Sequence, residues 1–429
     1  MTTVPAPTSD KNARGMNSEP RHANKKAPST KSSGLAVSGL FFANGAVFSN
    51  WVPRIPDVRD RLGMDNGGLG ATLIGGGLGG IVGSLLVAKF LQRIGSRRLV
   101  LIAASTLALL LPVVAIAPTP LALVAVLTAL GFADVMNDMA MNTQGTIVQD
   151  RLTRSIMQRL HGAWSLGAAC GAGTGALAAA NNISVGVHLS IVAVVLLGVI
   201  AAVMPNLIRH DPRQTASKNP GALDATMSRT SNAGPRKRPS AFRITPTIAA
   251  LVVMAIGMAF AESAPSEWSA VTMRDVFSFG SAGAATVVFA ASMLIARLFG
   301  DHLVDRLGPQ RVLDLALAVS LIGFAIIVTA QAGVVALVGF SVCGFGAAVM
   351  FPQLYAMAAT MPGTAAGAGL GALGIGQRFG FMMSSLLVGT IADWKNLRWS
   401  FTVIALLAAT AIVSSRTVLR GKVRHGGAA

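Results

Sequence analysis

Two short polar signatures stand 213 positions apart in this chain: Arg93-Ile94-Gly95-Ser96-Arg97-Arg98 and Asp305-Arg306-Leu307-Gly308-Pro309-Gln310-Arg311. Arg93 matches Arg306, Gly95 matches Gly308 and Arg98 matches Arg311 at one constant offset. Each signature follows the second long apolar segment of its half of the chain. Such a chain is a tandem duplication of a membrane-spanning unit. Parallel repeats of this kind build carriers whose substrate site lies between the halves, near the bilayer midplane.

Composition agrees with a chain dissolved mainly in lipid. Of the 429 residues, 52% are hydrophobic and 12% charged, whereas soluble domains carry about 25% charged residues. Apolar runs of at least about 18 residues are long enough to cross a bilayer as helices. They recur at 35–53, 68–91, 99–117, 120–148, 161–180, 184–205, 246–263, 280–303, 312–330, 333–358, 364–392 and 397–415. The expected fold is an all-α membrane protein with twelve transmembrane helices in two six-helix, pseudo-symmetric halves. Residues 1–34, rich in Pro, Ser, Asn and Lys, are expected to form a disordered cytoplasmic tail. Residues 35–205 make the N-terminal six-helix half, 206–245 a cytoplasmic central loop, 246–416 the C-terminal six-helix half and 417–429 a cytoplasmic tail. The first apolar run outlasts a signal-peptide core and reads as a retained first helix.

The net charge of +18 raises the question of nucleic acid, and the placement of the charges argues against it. With twelve spans and a cytoplasmic N-terminus, 27 of the 35 Lys and Arg fall on the inner side. Six (Arg54, Arg59, Arg61, Arg274, Lys395 and Arg398) fall on the outer side, and Arg297 and Arg378 lie inside spans. This positive-inside bias assigns both termini to the cytoplasm. Cys170 and Cys343 both lie in apolar spans and offer neither a disulfide framework nor metal-ligand spacing. No phosphate-binding loop of the G-x-x-x-x-G-K-[ST] kind occurs, so ATP drive is not expected. No catalytic constellation stands out, and no metal or cofactor is expected; a membrane enzyme is not favoured.

Ionisable side chains inside a span are costly and mark function by default. The fourth span holds the densest set. Asp134, Asn137, Asp138 and Met141 fall at i, i+3, i+4 and i+7 on one helical stripe, with Asn142 adjoining. Such a stripe is expected to face a cavity. Asp134, near mid-span, either carries a proton or holds interhelical hydrogen bonds. Arg378, beside Gln377 near the centre of the eleventh span, needs a partner or an anionic ligand. It pairs with Asp134 across the halves in one conformation, or it holds a substrate carboxylate or phosphate bidentately. Glu262 and Glu267, with Trp268, read as the outer end of the seventh span. There they are interfacial, or they form an outer gate or second proton site. Trp51 is expected to be a membrane-interface anchor. Asn44, near the middle of the first span, bonds substrate or a neighbouring helix. His161 is expected to cap or pack a loop, with pH sensing as the rival.

The two signatures carry a further expectation. Arg93, Gly95 and Arg98, with Asp301, Asp305, Arg306, Gly308 and Arg311, latch the halves on the cytoplasmic face in the outward-open state, or else form solvated loops. Glycines recur at four-residue spacing in the second span (Gly75, Gly79, Gly83; Gly76, Gly80), the fifth (Gly167, Gly171, Gly175) and the eleventh (Gly367, Gly371; Gly376, Gly380). Small residues so spaced let helix backbones approach closely, either as static packing or as surfaces that rock against the opposite half.

These residues resemble the major facilitator superfamily, whose signature loop joins spans two and three and recurs between spans eight and nine. Gly300, Asp301, Asp305, Arg306, Gly308 and Arg311 follow it closely, while Gln92 stands where the family usually has Asp. Narrower matches are similar to the fucose permease-like branch and its YbjJ-type inner-membrane proteins. They are Trp51-Val52-Pro53-Arg54-Ile55-Pro56 with Arg59 and Leu62; Asp134, Met136-Asn137, Met141-Asn142 and Gly145; and His161 to Gly167. Ala261-Glu262, Glu267-Trp268-Ser269 with Arg274-Asp275, and Gln377 to Phe381 complete them. The resemblance covers residues 35–416 and implies a multi-pass protein of the cell inner membrane. It also implies a monomeric carrier whose partners are a small-molecule substrate, protons and the lipid bilayer, with no nucleic acid.

The leading expectation is a secondary active transporter moving a small solute, sugar-like or an organic acid, by proton-coupled alternating access. The rival is a proton-antiport exporter of drugs or metabolites. Gly162, Gly171 and Gly175 fit the first part of the superfamily's antiporter signature, but Ala176 replaces its proline and the closing glycine pair is missing. A sensor or scaffold on the same fold is a third, weaker reading.

Overall fold

The computed structural model describes residues 29–152, 156–209, 245–360 and 366–426, and among them the regular structure is helical, with no strand. In the first half the spans are Thr30–Trp51, Asn66–Ile94, Ser96–Ile116, Pro120–Leu152, Met157–Ala180 and Val185–Val203. In the second they are Pro246–Asp275, Ala284–Leu307, Pro309–Thr329, a tenth in two pieces (Gly333–Ala347 and Met350–Thr360), Ala366–Trp394 and Leu397–Gly426. A 3-10 turn, Val52–Arg54, and a short helix, Ile55–Arg61, join the first span to the second. Most of the expected N-terminal tail and central loop lies outside the described residues.

Local chemistry sets several helix starts. The side chains of Ser29, Asp65, Ser184 and Thr245 accept the backbone N–H groups of Ser32, Gly68, Val187 and Ile248. Each supplies a partner that the first turn of a helix lacks. Ser29 therefore starts the first span before the apolar run begins. The seventh span outruns its expected end at residue 263 and continues through Pro265 to Asp275. Its buried face, with Trp268, Val271 and Met273, extends just as far. Neighbouring helices make an internal proline tolerable in such a setting.

Among the described residues, nine helical stretches are long and apolar enough to cross a membrane. The fifth, eighth and eleventh spans fall short of the twelve expected on hydropathy alone. They carry Arg159 and His161, Arg297 with the second signature, and Gln377 with Arg378. The fifth packs on the eighth across the halves, and the eleventh packs on the second. Polar side chains depress the hydropathy of helices that face the other half rather than lipid alone.

The duplication is written into backbone and packing. Gly95 (φ 80°, ψ 156°) and Gly308 (φ 79°, ψ 155°) each end one span and open the next. Positive φ of this kind suits glycine because it has no Cβ. Within the first half the first span packs on the fifth and sixth, the second on the fourth, and the third on the fourth and sixth; in the second half the seventh packs on the eleventh and twelfth, the eighth on the tenth, and the ninth on the tenth and twelfth. The two cross-half pairs, second with eleventh and fifth with eighth, exchange under the same relation.

The glycine stripes divide by the helix they face. Side chains on Gly75 or Gly79 would run into the Val124 and Thr128 carbonyls of the fourth span, in the same half. Gly70, Gly77 and Gly80 lie instead against Ser385, Met382 and Arg378 of the eleventh span. One helix thus carries a fixed seam and a cross-half seam on neighbouring faces. Gly167, Gly171 and Gly175 seat the backbone of the first span at Phe42, Ala46 and Asn50, and Gly376 and Gly380 seat the seventh at Val252 and Ile256.

Two tryptophans correct the sequence reading. Trp51 is 4% exposed and Trp268 is fully buried, both in the apolar core. Trp51 is therefore not an interface anchor. Trp268 does not mark an interfacial end, because the helix runs seven residues beyond it.

Candidate functional site

The bundle has two ends: one bears the start of the first span, the end of the twelfth and the two signatures, and the other is termed the far end. At the far end the halves are bound together by an alternating chain of charges. Arg54 Nε meets Asp57 at 2.7 Å, and Asp57 also meets Arg274 of the seventh span. Arg274 meets Asp60 at 2.8 Å, Asp60 meets Arg59 at 2.9 Å, and Arg59 reaches Asp275. Arg59 also donates to Asn66 Oδ1 at 2.9 Å. Alongside, the Asp393 carboxylate at the end of the eleventh span accepts the Asn66 and Gly67 N–H groups that open the second, at 3.1 and 2.6 Å. A carboxylate there answers both the unpaired N–H groups and the helix dipole.

At the terminal end the signatures find no such partners. Asp305, Arg306 and Arg311 are exposed, as are Arg93 and Arg98, and none makes an ion pair among the described residues. The side chain of Asp301 lies outside the described residues. Open space surrounds Gly371 and Gly374 on the eleventh span and Gly162 on the fifth. Leu85 and Lys89 of the second span are exposed. The named cross-half contacts therefore run from the far end only to the middle of the bundle.

Two charged groups lie in that middle zone. In the first, Asp134, Asp138 and Asn142 of the fourth span are half-buried, and Asn142 Nδ2 donates to Asp138 Oδ1 at 3.0 Å. Asn44 of the first span lies beside Asp134. From the second half, Arg378 acts electrostatically on both aspartates. It makes no direct hydrogen bond or ion pair with any described residue. Its guanidinium rests on the second span where Gly80 lacks a side chain; a Cβ there would stand 2.6 Å from Nη1. Tyr355 Oη donates to Gln377 Oε1 at 2.7 Å, and Tyr355 is within electrostatic reach of both Arg378 and Asp138.

The expected stripe on the fourth span divides. Asn137 and Met141 are both 1% exposed and turn into the core of the first half, with Asn137 Nδ2 3.9 Å from Met141 Sδ. Asp134, Asp138 and Asn142 follow i, i+4 and i+8 instead. At about 100° per residue, i+3 and i+4 diverge to opposite sides of the stripe. Asn137 and Asn44 line one small void in that core, and neither Oδ1 accepts a hydrogen bond.

The second charged group was only half legible. Glu262 is half-buried near the middle of the seventh span, within electrostatic reach of Arg297 on the eighth. Arg297 Nη1 donates to Ser165 Oγ across the halves at 3.0 Å, and its Nε donates to the Ala348 carbonyl at 3.3 Å. The same guanidinium lies 5.4 Å from the centre of the Trp164 ring, within the range of a cation–π contact. Sequence reasoning placed Arg297 inside a span but gave it no role; an arginine in an apolar run was the available signal. Glu267, one helical turn and a half further on, accepts from Ser385 Oγ of the eleventh span. His161 is exposed, with its ring edge-on to Phe41 at 5.3 Å.

Among the described residues no cluster of His, Cys, Asp or Glu could hold a metal ion. The arrangement brings opposed charges from both halves together near the middle of the bundle, with ion pairs joining the halves at the far end.

The family model described as Major Facilitator Superfamily matches residues 37–358 and 268–426. An uncharacterised MFS-type transporter of Yersinia pestis is 30% identical over 391 residues, which cover 89% of this chain and 94% of that protein. The membrane protein MosC of Rhizobium meliloti is 24% identical over 405 residues, 93% of each chain. Among solved structures, the nucleoside transporter NupG superposes with a TM-score of 0.66 at 14% identity, covering 90% of this chain and 98% of that one. The fucose:proton symporter FucP of E. coli superposes with a TM-score of 0.56 at 13% identity, covering 90% and 98%. At such identities the structural likeness concerns the fold.

Proposed function

The chain belongs to the Major Facilitator Superfamily and is a membrane transporter rather than an enzyme, and from that premise we propose that it moves a small polar solute, sugar-like or an organic acid, by proton-coupled alternating access. The observation that carries the reading is Arg378 of one half standing opposite Asp134 and Asp138 of the other without direct contact. Two carboxylates beside one guanidinium leave one excess negative charge. Moving an unbalanced charge through a bilayer interior is costly. One proton on the pair balances the group and lets the halves reorient. The gap between Arg378 and the aspartates suits a solute that accepts from the guanidinium and donates to a carboxylate.

The terminal end is taken as cytoplasmic, in line with its Lys and Arg excess. The described conformation is then inward-facing. The far-end chain of Arg54, Asp57, Arg274, Asp60, Arg59 and Asp275 is the closed outer gate. Asp301, Asp305, Arg306 and Arg311, with Arg93 and Arg98, are the inner gate, which engages when the outer side opens. Gly95 and Gly308 hold the gate loops in their positive-φ turns. Glu262 with Arg297 and Glu267 with Ser385 form a second polar path in the second half. Gly171 and Gly175 seat the first span, so their partial match to an antiporter signature lends export no separate support.

Proteoliposomes under an imposed pH gradient test the reading, with sugars, organic acids and cationic dyes offered in turn. Gradient-driven accumulation of a sugar or acid, abolished by Asp134→Asn, is the expected result. Extrusion of a dye against a proton counter-flow would replace this reading with export.

A further inference from the structure

The first half contains a crevice that the transport path does not use. It has a volume of about 500 Å³ and lies between the second, third and fourth spans. Val82, Phe90, Leu99, Ile102, Ala129 and Phe132 are among its walls. Val82, Phe90, Ile102 and Ala129 are exposed, so the crevice opens on the outside of the bundle. In a helix bundle that crosses a membrane, that surface meets lipid.

We propose that this crevice binds an anionic phospholipid, with one acyl chain between the three helices and the phosphate on the basic residues at its terminal-end mouth. Three observations carry the assignment. The walls are apolar, and the Thr128 hydroxyl among them already donates to the Val124 carbonyl at 2.8 Å. Thr106 adds one further hydroxyl to the walls, so a polar solute finds little to bond there, while an acyl chain loses little by entering. From Gly79 to Ile94 the crevice follows the second span for roughly 22 Å at 1.5 Å per residue. That length exceeds the ~15 Å half-thickness of a bilayer core and so reaches the headgroup zone.

The mouth supplies the charge. Lys89 and Arg93 flank Phe90 on the second span, and Arg98 stands one turn before Ile102 on the third. All three are exposed, and none has an acidic partner among the described residues. Arg97 is not counted with them, because its Nη2 donates away from the crevice to the Met204 carbonyl. A cluster of unpaired Lys and Arg at the inner end of spans is suited to anionic headgroups. The crevice also borders the transport machinery. Gly79 lines it next to Gly80, which bears Arg378, and Ala133 lines it next to Asp134. A bound chain braces the second span against the fourth on the face opposite the cross-half seam.

The test is native mass spectrometry of the protein taken from phosphatidylcholine nanodiscs doped with phosphatidylglycerol. Wild type is expected to retain phosphatidylglycerol selectively. The Lys89→Gln, Arg93→Gln, Arg98→Gln variant is expected to weaken retention on the order of a hundredfold, as three cations are lost. Ala129→Phe, which fills the crevice from an exposed position and leaves the charges in place, is expected to lose the lipid as well. Retention by Ala129→Phe would reduce the effect to diffuse charge attraction and overturn the crevice site. Unchanged retention by the triple variant would overturn the choice of an anionic lipid.

Discussion

Arg378 and Gly80 meet across the two halves: the guanidinium of one lies where the other has no side chain. The contact joins the cross-half seam to the charged group, so a shift of the second span along the eleventh is expected to move the guanidinium. The adjacent Gly79 faces the backbone of the fourth span instead. Substitution at these neighbours therefore has opposite signatures. Gly79→Ala is expected to destabilise the protein by about 1–3 kcal/mol, because a backbone carbonyl cannot yield to the added methyl. Gly80→Ala is expected to leave the melting temperature near wild type and lower transport, because a flexible side chain yields and Arg378 moves. Thermal melts and uptake assays on the pair separate the two effects.

Arg378→Gln strands two carboxylates with no counter-charge. Loss of stability on the order of 1–3 kcal/mol follows from leaving a half-buried charged group unpartnered. The double variant Arg378→Gln, Asp138→Asn returns the group to one excess negative charge and is expected to recover part of that stability. Melting curves of the three proteins check the order.

The far-end chain breaks without stranding charge. On opening, Arg54 keeps Asp57 and Arg59 keeps Asp60 in the first half, while Arg274 stays beside Asp275 in the second. Of the cross-half pairs Arg274–Asp60 is the most exposed and contributes about 0.2–1 kcal/mol, whereas Arg59–Asp275 is more buried. Arg274→Gln with Asp275→Asn is expected to raise the outward-open population several-fold. Ala176 packs on Gly283 across the halves. Alkylation of Ala176→Cys, with Cys170 and Cys343 replaced, should then speed up by the same factor; an unchanged rate would deny these residues a gating role.

Arg297 ties the eighth span to Ser165 and Trp164 of the fifth. Arg297→Lys is expected to fail as a replacement, because ammonium offers no planar face to stack and no fork to share between Ser165 and Ala348. Tryptophan emission of the variant should shift as the Trp164 ring loses the guanidinium that lies over it, and uptake should fall with it.

The twelve-helix plan was legible because apolar length and a constant offset survive in the sequence without tertiary information. Gly95 and Gly308 even disclosed their matching turns. Asp134, Asp138 and Arg378 were legible as charges that lipid would not tolerate. What the sequence hid depends on azimuth and on partners distant in the chain. Asn137 shares a turn with Asp138 but points into the core. Trp51 and Trp268 have the composition of an interface and the burial of a core, because neighbouring spans cover them. Arg59 counted only as an outer-side charge until the fold brought it to Asp275, 216 positions away. Arg297 gave one signal, its place in an apolar run, and its partner Ser165 gave none.

The most direct test of proton coupling at the Asp134–Asp138–Arg378 group compares two assays in the same proteoliposomes, once a transported solute is in hand. Asp134→Asn and Asp138→Asn should keep solute-for-solute counterflow, which needs only binding and reorientation. They should lose accumulation driven by an inward proton gradient. Accumulation at wild-type level in both variants would contradict the account and move the proton site elsewhere in the bundle.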